Sequence, residues 1–129
     1  MTTIHDIMQI GVGMPDRERF EDFARDMLGL PTHRSADGKV TYVRPDRYRY
    51  RIAAHAAPEP VLRYVTFDVG RAEPLAEWER KLTAAGIAWR RGEPQERVER
   101  WVADLIEFKD PDGHTLALAH GFEVDQEPV

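Results

Sequence analysis

Two hydrophobic periodicities alternate along the chain. From Ile7 to Gly13 the residues read as a strand, and Met14-Pro15-Asp16 then supplies a turn with Asp16 as a helix N-cap. Phe20, Phe23, Ala24, Met27 and Leu28 follow at i, i+3, i+4, i+7 and i+8, the apolar stripe of a helix packed on one face, with Gly29 at its end. The stripe, Phe23 included, reads as core. Three short strands are predicted next, around Pro31 to Arg34, Val40 to Arg44 and Tyr48 to His55, and Asp37-Gly38 is a hairpin signal between the first two.

The order then repeats. Leu62 to Val69 is strand-like, Leu75, Trp78 and Leu82 give a second helix its apolar face, and Gly86 ends that helix. Strands are expected at Ile87 to Arg90, Val102 to Phe108 and Thr115 to His120, with Asp110-Pro111-Asp112-Gly113 turning between the last two. A shift of about 55 residues lays Gln9 on Tyr64, Ile10 on Val65, Phe20 on Leu75 and Phe23 on Trp78. A unit of strand, helix and three strands cannot bury both its sheet face and its helix alone. The expected fold is therefore α+β, two βαβββ modules forming one cleft-bearing domain. Module one takes residues 4–57 and module two residues 58–121, and 122–129 form a tail.

Composition narrows the function classes. The 129 residues suit one globular domain, with 42% apolar and 32% charged residues and no apolar run long enough for a membrane span. The opening Met1-Thr-Thr-Ile-His-Asp lacks the basic and apolar regions of a secretory signal, so a cytoplasmic address is expected. A net charge of −5 gives no electrostatic reason to expect nucleic acid. Arginines cluster at Arg44, Arg47, Arg49 and Arg51 and again from Arg90 to Arg100. Both groups read as solvated strand edges or loops, because Asp46, Glu93, Glu96 and Glu99 lie among them. With no cysteine, any metal would need imidazole, carboxylate or amide ligands. A phosphate loop, a nucleophile elbow and an HExxH pair are all missing.

Specific residues carry a family resemblance. Gly11-Val12-Gly13-Met14-Pro15-Asp16, then Phe20 to Leu30 with its "FA, three residues, LGL" ending, resemble the opening strand and helix of the vicinal oxygen chelate superfamily. Ile106 to His114 is similar to its "F-x-DPDG-N" turn. Within that superfamily the chain resembles the N-terminal domain of type I extradiol ring-cleavage dioxygenases. The likeness is carried by Tyr42 to Asp46, Tyr50 to Ala53, Leu62 to Val69, Arg100-Trp101-Val102 and Leu116 to Gly121. The tail resembles an interdomain linker. The resemblance implies that Fe(II) or Mn(II), held by two histidines and a glutamate, belongs to a separate catalytic domain of the same fold, and that this chain holds no cofactor.

Carried onto this chain, the superfamily's metal positions are Gln9, Tyr64 and Ala117. Glutamine can serve at the first of them in glyoxalase I enzymes, whereas a tyrosine is a poor ligand and an alanine has none to offer. These residues are expected to line the cleft without binding metal, and no catalytic residue is assigned. Among the five histidines, His33 and His114 sit beside turns and His5 near the chain start, where exposed or capping roles are expected. His120 should face away from Ala117 if strand alternation holds. A displaced metal site would have to draw on His5, His55 or His120. Glu107 and Asp68 fall on strands that face either the cleft or solvent.

Three readings of function follow. The first is a structural, metal-free accessory domain partnered by a catalytic domain of the same fold or by its own copies. The second is a homodimeric binder of a small aromatic molecule, resembling the bleomycin-resistance proteins, with Tyr64, Gln9 and Trp101 lining the site. A dioxygenase or lyase with displaced ligands is the third and weakest reading.

Overall fold

The computed structural model describes residues 3–125. Its elements are β1 (Asp6–Met14), α1 (Arg17–Asp22), β2 (Thr32–Arg34), β3 (Thr41–Val43), β4 (Ile52–Ala56), β5 (Val61–Asp68), α2 (Ala72–Ala84), β6 (Trp89–Arg91), α3 (Pro94–Arg100), β7 (Asp104–Lys109) and β8 (Thr115–His120). The fold is α+β, and each half runs strand, helix, three strands, with α3 added to the second. Half of the expected tail, residues 126–129, lies outside the described residues. None of the described helices is long and apolar enough to cross a membrane.

The chain divides into two compact units. One comprises Gln9–Arg63 with the residues after Glu123, and its strands run in the order β2-β3-β4-β1. β1 and β4 pair in parallel, while β2–β3 and β3–β4 are antiparallel. The β2–β3 hairpin turns at Asp37-Gly38, where the Asp37 carboxylate accepts from the Ser35 hydroxyl at 2.6 Å and the Lys39 amide at 2.9 Å, and Gly38 adopts φ +73°. Those two hydrogen bonds, the hydroxyl's first, hold the Asp37 carboxyl below its ordinary pKa. Thr41, Tyr42 and Val43 are all buried, as are Ala53 and Ala54.

The first helix departs from expectation. Asp16 caps it as predicted, accepting from the Arg19 amide at 3.0 Å, but after Asp22 the chain widens into a π-helical turn over Phe23–Met27. The Leu28 amide reaches back five residues to the Phe23 carbonyl at 3.2 Å. A wider turn breaks the i, i+3, i+4 spacing on which the stripe depends. Of its five members only Ala24 is buried; Phe23 is 51% and Met27 72% exposed, so the reading of Phe23 as core is corrected.

The other unit comprises Tyr64–Glu123 with the residues up to Met8, in the order β5-β8-β7-β6. β8 runs parallel to β5 and antiparallel to β7. Alternation gives this sheet two faces. Ile106 and Leu118 project to one face and pack with Val69 and with Leu75 and Leu82 of α2; Phe67, Trp78, Trp89 and Phe108 close the cluster. Leu105, Ala117 and Ala119 project to the other, against Val102 and Phe122. α2 ends at Gly86, which donates to the Thr83 carbonyl at 3.1 Å with φ +74°.

α3 replaces the loop expected between Arg90 and Arg100. It begins with a reciprocal capping box between Glu93 and Glu96, with Pro94 in the first turn. That signature stands in the sequence and outweighs the charge pattern.

Candidate functional site

In the unit holding Gln9, strand register places Tyr42, Ala53 and His55 on the same sheet face as Gln9. Gln9 is 3% exposed, and its Oε1 accepts the Tyr50 hydroxyl at 2.8 Å. The Tyr50 and Tyr42 rings meet at a tilt of 44° with centroids 4.8 Å apart, and the Tyr42 and His33 rings at 31° and 4.9 Å. The His33 ring also bonds the Arg49 carbonyl at 2.7 Å, so His33 is tied into the sheet rather than lying free at a turn. Arg44, expected to be solvated, is 6% exposed. Its guanidinium lies 3.6 Å from Asp125, which also pairs with Arg49 at 3.5 Å, and this shared carboxylate offsets the burial of charge.

The other family positions lie in the second unit. Tyr64, Thr66, Ala117, Glu107 and Arg90 share the face turned away from α2, because Thr66 pairs with Ala117, Ala117 with Glu107 and Glu107 with Arg90. Glu107 therefore belongs with Ala117, while Asp68 serves a turn by accepting from the Gly70 amide at 2.8 Å. The Arg100 guanidinium, delivered from the last turn of α3, sits 4.0 Å over the Tyr64 ring and donates to Glu107 at 2.9 Å. Arg90 donates to the other Glu107 oxygen at 2.8 Å and grips both oxygens of Glu96 at 2.7 and 2.8 Å. Arg100 also lies 3.6 Å from Glu96. Two cations and two anions thus alternate over this face. The Arg100 side chain is 12% exposed, which corrects its reading as solvated.

Sequence reasoning missed this quartet. Arg100 and Glu107 stand seven positions apart, and only α3 brings the guanidinium back over β7.

The bidentate bond from Arg90, then the Glu93 amide, hold the Glu96 carboxyl far below the usual carboxylate range, at about 2. A depressed carboxylate contributes stability that is fully present above its unfolded value and disappears as pH falls toward the folded one. Glu96→Gln is therefore expected to flatten the stability profile below about pH 4.5, with a difference on the order of 1 kcal/mol after solvent screening. Urea denaturation of both proteins at pH 6 and pH 3 checks this, and parallel losses would remove the ion pair from the account.

These residues do not fit a divalent ion. The Gln9 oxygen already accepts from Tyr50, a guanidinium covers the Tyr64 ring, and Ala117 presents a methyl group. Among the described residues there is no group of three or more His, Asp or Glu able to hold a metal. His114 bonds Asp110 at 2.9 Å inside the predicted turn, and the His5 amide donates to the Asp68 carbonyl at 2.8 Å. His120 projects to the face opposite Ala117, as alternation required.

Beside the end of α3 lies an open cavity of about 560 Å³, lined by Arg97, Val98, Trp101, Ala103, Gly121 and Glu123 among others. Trp101 closes the helix in the left-handed conformation, φ 57°.

Against this geometry, similarity to known proteins is informative. No family model matches the chain. An iron-dependent extradiol dioxygenase of Rhodococcus jostii is 25% identical over 127 residues, covering 98% of this chain and 42% of that protein. A biphenyl-2,3-diol 1,2-dioxygenase of Paraburkholderia xenovorans is 30% identical over the same length and shares. The crystal structure of a catechol 2,3-dioxygenase superposes with a TM-score of 0.93 at 26% identity, over 99% of this chain and 43% of that one. The chain has the vicinal oxygen chelate fold of the extradiol dioxygenases. It spans less than half the length of these curated relatives. Within this fold, the likeness covers nearly the whole chain but only part of each dioxygenase.

Proposed function

We propose that the chain is a metal-free accessory domain of an extradiol dioxygenase-like protein, equivalent to the N-terminal domain of such enzymes, and that its role is structural. The observation that carries this reading is the chemistry at the three family positions: a hydrogen-bonded amide, a tyrosine beneath a guanidinium, and an alanine. Extradiol cleavage needs a metal with open positions for catecholate and dioxygen, and three protein ligands must fix that metal. Residues 4–57 and 58–121 are its two modules, 122–129 are a linker-like tail, a catalytic domain of the same fold is its partner, and the protein works in the cytoplasm. Fe(II) or Mn(II) belongs to that partner.

The test is anaerobic loading with Fe(II), desalting, iron analysis and oxygen uptake with catechol and 2,3-dihydroxybiphenyl. Less than about a tenth of an equivalent of iron and no uptake are expected, given the ligands present. Stoichiometric iron or ring cleavage would overturn the reading.

The cavity beside Trp101 favours a second reading, a homodimeric binder of small aromatic molecules. Arg100 already covers one face of Tyr64, so stacking would fall to Trp101. Calorimetric titration with catechols decides it: saturable heat supports this reading, and a flat response across a broad panel removes it.

A further inference from the structure

We propose that the Arg100 guanidinium is a resident cation on the Ala117 face of β5, β7 and β8, and that its charge keeps divalent ions away from Glu107, the carboxylate paired in register with Ala117. The proposal rests on the metal-free reading and supplies a physical cause for it beyond the missing ligands. Glu107 and Ala117 occupy one rung of the β7–β8 ladder. Side chains on such a rung leave the backbone about 5 Å apart, so an ion held at position 117 would meet Glu107. Glu107 is a mostly buried acid, the kind of group that attracts cations.

Both of its oxygens are taken, one by Arg90 at 2.8 Å and one by Arg100 at 2.9 Å. The acid Glu96 is gripped through both oxygens by Arg90. The quartet sums to no net charge. A divalent ion entering there would have to displace a guanidinium or lie beside one, and a guanidinium keeps its proton throughout the working pH range. Tyr64 adds to the hold, because its ring face attracts the Arg100 cation at 4.0 Å. The tyrosine at the family's fifth-strand position thus has a function of its own as the seat of an organic cation.

The experiment measures Mn(II) binding, by the electron-resonance signal of free Mn(II) and by calorimetry, in the wild-type chain, Arg100→Met and Arg100→Lys at pH 7. Arg100→Gln replaces the methionine variant if circular dichroism shows that one unfolded. Removing the charge is expected to tighten Mn(II) binding at least ten-fold over wild type, with Arg100→Lys staying at the wild-type level. Equal affinity in all three proteins overturns the proposal, as does a gain in Arg100→Lys matching that of the neutral variant. Stoichiometric Mn(II) on the wild-type chain would instead overturn the metal-free reading itself, so the two failures are distinguishable.

Discussion

Gly121→Ala is expected to lower the unfolding free energy by about 3 kcal/mol or more, the sum of a backbone penalty near 1 kcal/mol and a steric one. Gly121 follows β8 with φ +73°, a conformation that side chains with a Cβ rarely adopt. A methyl group there would collide with the Ala103 side chain and stand 3.2 Å from its amide nitrogen and 3.4 Å from its Cα. Ala103 cannot easily withdraw, because its amide donates to the His120 carbonyl at 3.0 Å, next to the start of the β7–β8 ladder. Gly29→Ala is the control. Gly29 has a similar φ of +69°, yet nothing lies within 4 Å of its added methyl, so only the backbone penalty of about 1 kcal/mol is expected. Urea denaturation of the two variants separates crowding from conformation. Equal losses would show that the approach of Gly121 to Ala103 is looser than described.

What could be read from the sequence follows from how local its causes are. The Asp16 cap, the Asp37-Gly38 hairpin and the turn through Asp110 are each closed by a side chain bonding its neighbours, and each stands where the sequence placed it. The Asp110 carboxyl accepts from the Asp112 and His114 amides at 2.9 and 2.8 Å, and is held below its ordinary pKa by the His114 amide first. β8 begins and ends as predicted, and α2 packs through Leu75 and Leu82. The failures are of two kinds. Periodicity assumes a constant helical pitch, which the π-helical turn at Phe23 violates. Charge patterning assumes that neighbouring opposite charges are solvated, whereas Arg44 is drawn inward by Asp125, far along the chain, and Arg100 by Glu107, which lies beyond its own run of charges. The resemblance named three positions, but the electrostatic arrangement around Tyr64 and Glu107 was not legible, since Glu107 and Arg100 meet only through the placement of α3.

The two-faced sheet of the second unit yields the other large expected effect. Ile106→Ala should cost about 3 to 4 kcal/mol, in the range for emptying a large aliphatic site in a packed core. Ile106 is fully buried, with Leu118 beside it on β8 and Leu75 and Leu82 over it on α2, so no polar group or solvent can refill the space. Phe23→Ala makes the comparison informative, because Phe23 is the larger side chain and the sequence pattern assigns it to core. At 51% exposure it has only part of its area removed from water, and a loss under about 1 kcal/mol is expected. Urea midpoints measured on both variants rank the two helices by what they cover. A loss at Phe23 equal to that at Ile106 would return the first helix to the core and remove the π-helical turn as the cause of its exposure. The expected order carries a further consequence for the Arg100 quartet. Ile106 and Glu107 are adjacent on β7 but project to opposite faces, so a cavity behind the strand removes no contact from the charged face. Mn(II) binding by folded Ile106→Ala should therefore match wild type, which separates loss of packing from loss of charge.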